Sequence, residues 1–361
     1  MIHRLPSHLW TLAGPVAGAL MLASNGLGLE GPALVVAYIA MLVVGVFAAV
    51  HHAEVVAHKI GEPYGTLVLA LAITVIEVAL IVSLMLNGGP ATAALARDTV
   101  FAAVMLILNG IIGLCLLVGA SRHHEQRFGL YGVSASLTTL AAISILTLVL
   151  PNYTTTVAGP VYSTSQLVFV AAVSLVLYGA FVLIQTVRHR DYFLPPGASQ
   201  DTQLHAAQPS LLQATRSSFF LLLSLATVVL LAKQLAPTIE HLVSAAGAPK
   251  TLVGIIIAAV VLMPEGLAAY RAARANRLQT SLNLALGSAL ASIGLTIPAV
   301  AAVSIATGMT LTLGIDLKST VLLLLSLFVC TLSLGTGRTT VLQGVVHLVI
   351  LATYLFITVV P

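Results

Sequence analysis

Charge is what this sequence has least of: 7% of its 361 residues are Asp, Glu, Lys or Arg, where an ordinary soluble domain carries about 25%. A water-facing surface needs such residues, so soluble domains are excluded, although the length alone would house roughly two or three of them. Cysteine is almost missing as well. Cys115 and Cys330 both lie in apolar runs, which excludes a disulfide framework. The single tryptophan, Trp10, leaves a thin aromatic belt. No small-residue cleavage site follows the basic opening MIHRLPSHLW, so the first apolar run is read as an uncleaved helix. The net charge of +4 comes from residues set between apolar runs rather than in a stripe or patch, and nucleic acid is not an expected partner. What is there instead is apolar: 59% of residues are hydrophobic and the mean hydropathy is +1.07. The solvent that fits such a chain is a lipid bilayer.

A spanning helix needs about 20 mostly apolar residues. Eleven stretches qualify: 9–28, 32–58, 64–87, 99–120, 132–150, 165–187, 217–236, 250–270, 280–306, 318–336 and 339–360. Their apolarity is continuous rather than alternating, which predicts helices and not a barrel. Sorting the fifteen Lys and Arg onto the two faces, with the N-terminus inside, puts eleven inside and four outside. That bias predicts a multi-pass protein with a cytoplasmic N-terminus and a C-terminus on the outer side. The longest polar stretch, 188–216, reads as a cytoplasmic linker that leaves six spans before it and five after.

The chain repeats itself. AEVVAHKIGEPYGTLV (53–68) is similar to IEHLVSAAGAPKTLV (239–253), with Glu54, Gly61, Pro63 and Thr66 answering Glu240, Gly247, Pro249 and Thr251. A further glutamate stands in the next apolar span of each copy, Glu77 at 23 residues from the first and Glu265 at 25. Five spans per copy is an odd number, so the copies must run in opposite directions. The expected architecture is all-α and polytopic: an extra N-terminal helix (1–31), a five-helix repeat (32–187), the linker (188–216) and an inverted five-helix repeat (217–361). Inverted repeats of this kind recur among secondary transporters, with the site near the midplane.

Glu77 and Glu265 both fall about 20 Å into their spans, close to the middle of an approximately 30 Å hydrocarbon core. A carboxylate there costs about 2.5–3.5 kcal/mol on insertion scales, and no Lys or Arg lies in either span core to offset it. Hard cations bind carboxylate, hydroxyl and carbonyl oxygens. A buried carboxyl group holds a proton when no cation is present and surrenders it to one, so the two glutamates are candidate sites for competing cations and protons. Pro264 lacks an amide and relieves a carbonyl next to Glu265. Ser288, Ser292 and Thr296 share one helical stripe and are candidate secondary ligands, although small residues are also the ordinary packing surface of membrane helices. Glu54 and Glu240 lie nearer helix ends and are candidates for ion entry. His51 and His58 stand three and four residues from Glu54, a spacing that suits a proton relay. Neither a nucleophile–base set nor a metal-protease spacing is found, so no enzyme is expected. A passive channel would place its acidic groups in rings formed by several subunits, which an internal duplication does not suggest.

The segments 53–81 and 262–298, LMPEGLAAYRAARANRLQTSLNLALGSALASIGLTIP, resemble the two signatures of the calcium/cation antiporter superfamily. GTGRTTVLQGVVHL (335–348) resembles its ChaA-type bacterial branch in particular. The resemblance implies a cation/proton exchanger working by alternating access, with Glu77 and Glu265 as central ion ligands and acidic residues at Glu54 and Glu240. It adds Thr74 as a hydroxyl before the first buried glutamate, where the second repeat has Leu262 and Met263. Export of calcium against protons is the first expectation, and sodium or potassium exchange on the same fold the alternative. Lipid, the transported cations and protons are the implied partners, and no cofactor is.

Overall fold

The computed structural model describes residues 9–23, 31–61, 64–88, 92–194, 209–249 and 251–360. Residues 24–28 of the first expected span, Pro63 and the linker stretch 195–208 lie outside them.

Every expected span has a helix. They are α1 (Leu9–Ala23), α2 (Pro32–Ile60), α3 (Tyr64–Gly88), α4 (Leu95–His123), α5 (Leu130–Tyr153), α6 (Thr164–Arg188), α7 (Leu211–Ala245), α8a (Thr251–Val261) with α8b (Met263–Arg274), α9 (Leu278–Thr307), α10 (Leu317–Leu334) and α11 (Val341–Val359). Among the described residues, nine helices are long and apolar enough to cross a membrane, α8a and α8b pass together as one bent span, and α1 is a shorter apolar helix. Among the described residues strand is confined to a two-residue antiparallel pair, β1 (Gln126–Arg127) with β2 (Arg338–Thr339), and one isolated bridge between Val161 and Thr312.

Several boundaries move, each for a local reason. Helix α7 starts at Leu211 instead of 217, because Ser210 and Gln213 form a reciprocal capping box. The last six residues of the expected linker are therefore helical. The same helix runs on to Ala245, taking in Lys233 and Glu240. Helix α4 starts at Leu95, ahead of the expected 99, with Asp98 in its first turn where the helix dipole favours an acid. The span expected at 250–270 is not continuous: it breaks at Leu262 and bends by 55°.

The helices form two compact units that interleave along the chain, residues 1–84 with 205–247 and residues 85–204 with 248–361. In the first unit α1 packs on both α2 and α7, and these two pack along each other. A Cβ on Gly45 would lie 2.8 Å from Val228, and one on Gly18 2.6 Å from Thr227, so the missing side chains allow the close approach. His52 ties the three helices together. Its ring is 3% exposed, Nε2 donates to the Thr11 carbonyl at 3.0 Å, and Nδ1 lies 3.4 Å from Ser217 Oγ. Phe220 stacks on its face.

In the second unit α4 and α9 are the interior helices. Of their apolar stretches 72% and 67% is buried, against 22% for α11 and 28% for α6. These two are the third helices of their repeats, as α2 and α7 are the first. Spans α4, α5 and α6 each contain a π turn, at Leu106–Ile111, Ile145–Val149 and Ile184–Arg188. The first of these carries Asn109, which is fully buried together with His347 of α11 and Ser326 of α10. Asn109 Nδ2 donates to Ser326 Oγ at 2.8 Å, and its Oδ1 lies 3.3 Å from His347 Nδ1. The amide oxygen can only accept, so Nδ1 carries the hydrogen. The neutral ring then accepts at Nε2 from Ser333 Oγ, 2.8 Å away. Glycines bring the helices close enough for this: a Cβ on Gly113 would lie 2.8 Å from that of His347, and one on Gly344 would overlap the backbone of Leu117.

Replacing His347 by Leu should strand Ser333 and Asn109 in an apolar interior, at a cost of about 1–3 kcal/mol. Thermal unfolding in detergent should show a lower midpoint for His347→Leu than for a substitution at the exposed Val349. An unchanged midpoint would remove the network as a stabilising element.

Candidate ion-binding site

Glu77 lies thirteen residues after Tyr64 in α3, a helix with no proline and no break. Its side chain is 4% exposed, and so is that of Thr74 one turn earlier. Residues three apart share a helix face, so the hydroxyl and the carboxyl group belong to one stripe of α3. Thr74 Oγ1 donates to the Ala70 carbonyl at 2.9 Å, which leaves its lone pairs to accept or ligate. Both residues belong to the first compact unit.

Glu265 belongs to the second unit and is 9% exposed. Its backbone setting is unlike that of Glu77. Leu262 is a turn residue, Pro264 occupies the first turn of α8b, and Glu265 follows it there. Proline suits that position because the first amides of a helix have no partner inside it. The missing amide is the one that would have bonded the Val260 carbonyl. A carboxylate in the first turn meets the positive end of the helix dipole, worth about 0.3–1 kcal/mol in water and more where solvent is excluded. A broken span whose half-helix N-terminus carries the acidic group is a recurrent way to build an intramembrane site.

Helix α8b packs along α9, which carries the hydroxyl stripe. Ser292 is 4% exposed and Thr296 fully buried, whereas Ser288 is half-buried. On its other side α8b meets α4, where the Ile111 side chain would lie 3.3 Å from a Cβ on Gly266. The π turn bearing Asn109 thus abuts the residue directly after Glu265.

The outer candidates are differently placed. Glu54, His58 and Glu240 are exposed. His51 is half-buried, its ring 6.5 Å from that of Trp10 and 5.4 Å from that of His52. Arg97 and Asp98 form an ion pair at 2.8 Å, and Arg97 also reaches the Gly314 carbonyl at 2.8 Å. Sequence reasoning passes over Asn109, because nothing in LILNGI announces a π turn. His52, which the sequence groups with His51 and His58 around Glu54, is instead a buried tie between helices.

Residues 30–187 and 216–360 match the model of the sodium/calcium exchanger protein family. The chain belongs to that family, and so is a multi-pass membrane protein of the cation-antiporter class. A putative ionic transporter, y4hA, of Sinorhizobium fredii is 47% identical over 360 residues, covering 98% of this chain and 96% of that one. The sodium-potassium/proton antiporter ChaA of Escherichia coli is 36% identical over 311 residues, covering 86% and 84%. Among solved structures, native YfkE superposes with a TM-score of 0.73 at 17% identity, over 97% of this chain and all of that one. The H+/Ca2+ exchanger CAX does so with 0.72 at 14%, over 96% and 87%. At those identities the likeness is one of fold.

Glu54→Gln and Glu240→Gln remove exposed charges, so folding stability should change by no more than about 0.5 kcal/mol. Ion preference should stay the same in both, while rate or its pH profile shifts. A complete change of preferred ion, measured by competition in proteoliposomes, would place either residue in the central site instead.

Proposed function

We propose that this protein exchanges a metal cation for protons across a bacterial inner membrane by alternating access. Glu77 and Glu265 would bind cation and protons in competition. The observation that carries the reading is Glu77: a carboxyl group 4% exposed, halfway along an unbroken apolar helix of 25 residues. Such a group is costly unless it is protonated, hydrogen-bonded or bound to a cation. A side chain that alternates between those two conditions couples their movements. Glu265 supports the same reading from the other repeat, with the amide end of α8b to stabilise its ionised form. Thr74, Ser288 and Ser292 are proposed as further oxygen ligands, and Glu54, Glu240, His51 and His58 as the route by which ions and protons enter.

Calcium is the first cation to test. Two carboxylates that release two protons for one divalent ion keep the charge of the site constant, and hydroxyls complete the oxygen set that calcium takes. Sodium or potassium is the second, favoured by the relative that is 36% identical and named for those ions. The excess of Lys and Arg in segments assigned to the inside supports a cytoplasmic N-terminus.

The test is proton release from proteoliposomes loaded with a pH dye, on adding calcium, sodium and potassium in turn. The lumen of wild-type vesicles should become more alkaline with one of them as protons leave in exchange for the entering cation, and Glu77→Gln and Glu265→Gln should each lose at least about 99% of that response, the amide keeping shape without a proton to give. Near-normal exchange by either variant would take that glutamate out of the mechanism. Cation flux indifferent to a proton gradient would favour a channel.

A further inference from the structure

The second compact unit presents very different charge at the two ends of its helices. At the end where α4, α10 and α8a begin, the described ionic side chains are Arg97, Asp98, Asp316 and Lys318, two of each sign. They neutralise each other locally, Arg97 with Asp98 at 2.8 Å and Lys318 with Asp316 at 3.9 Å. At the opposite end the last turns of α4 and α8b and the loops that follow α4, α8b and α10 carry six exposed arginines, Arg122, Arg127, Arg271, Arg274, Arg277 and Arg338. Glu125 is the acid among them, and it lies 3.7 Å from Arg127 and 3.5 Å from Arg338.

These loops are not merely charged; they are bonded to one another. Gln126 is 1% exposed, and its amide donates to the Ala273 carbonyl and to Asn276 Oδ1, both at 3.0 Å. His123 Nε2 donates to the Arg274 carbonyl at 3.0 Å. The Phe128 amide reaches the Gly337 carbonyl at 3.1 Å, beside the β1–β2 pair that joins Arg127 to Arg338 in register. Gly129 donates to Gln279 Oε1, which links the same strip to the start of α9. His124 and Asn276 take positive φ, at 63° and 58°, to make the corners. A topological signal for membrane insertion needs only the charges in the chain. It does not need them mounted on a cross-linked plate.

We propose that this plate is a binding surface for anionic phospholipid headgroups of the leaflet it meets. A phosphate monoanion takes the forked donors of arginine better than those of any other side chain. The plate lies where headgroups are, at the ends of membrane-crossing helices. Tyr131, 73% exposed at the adjoining start of α5, and Tyr192, 40% exposed in the short turn after α6, stand with ring centroids 5.1 Å apart, and tyrosines of this kind settle at headgroup depth. Because hydrogen bonds already fix the loops, binding a headgroup orders only the guanidinium stems, so little conformational freedom is lost.

The experiment uses the full chain, purified in a neutral detergent, with phosphatidylglycerol, phosphatidylcholine or inorganic phosphate added. Thermal midpoint is read in each, and lipid retention by native mass spectrometry. Phosphatidylglycerol should raise the midpoint and stay bound, phosphatidylcholine should do neither, and raising salt from about 50 to about 500 mM should erase the difference. Arg127→Gln, Arg274→Gln and Arg338→Gln together should raise the lipid concentration for half the effect at least tenfold, at about fivefold per arginine near a charged surface. Lys318→Gln, at the other end, should leave it unchanged. If the triple variant does not yield folded protein, each single variant should still show a several-fold shift. Equal effects of the two lipids, or wild-type behaviour of the arginine variants, would overturn the proposal. Inorganic phosphate reproducing the whole shift would overturn it too, by assigning the plate to a free anion.

Discussion

A polar group in hydrocarbon has no water to turn to, so every amide, carbonyl and ionisable side chain must be satisfied from within the protein. That requirement makes the chain helical throughout its spans, and it also decides where the helices are allowed to be irregular. The break at Leu262 is tolerated because proline and a carboxyl group occupy the positions where free amides begin. Asn109 is tolerated because a serine and a histidine from two other helices meet it. Charge outside the spans follows the same rule in reverse: among the described residues it is neutralised pair by pair at one end of the second unit and left in excess at the other.

The two glutamates show how a duplicated motif can be held in unequal settings. One sits in a continuous helix with a threonine a turn away; the other opens a half-helix against the hydroxyl-bearing α9. The expectation that each glutamate lies well inside its span rests on counting residues at a fixed rise. The inequality of backbone was only half legible. Pro264 announced an irregularity, but a proline within a membrane helix can kink, bend or start a helix, and composition does not choose among these.

Other features divide along the same line. The apolar helices and their order were readable, because apolar length is a one-dimensional property. The capping box at Ser210 was readable in principle as Ser-x-x-Gln, yet the polar run before it drew the boundary to 217. His347 carried a cue, a lone ionisable residue in an apolar span, and it has the polar partners such a residue needs. His52 carried none, because its partners Thr11, Ser217 and Phe220 come from helices 41 to 168 residues away. The interleaving of the two compact units was equally invisible, since it joins the first helix of one repeat to the first of the other across more than 150 residues of chain.

The π turns in α4, α5 and α6 bear on how the two repeats are to be compared. A π turn is a helix that has taken in one residue beyond what its hydrogen-bond ladder uses, and everything after it is rotated relative to everything before. The first repeat has three such turns in successive spans, and the described helices of the second have none. Counting residues from a shared landmark already differs by two between the glutamate pairs, 23 residues from Glu54 to Glu77 and 25 from Glu240 to Glu265, and each π turn adds one residue more. A residue-by-residue comparison of the later helices must therefore step over one position at every π turn, or it compares different faces of the helix.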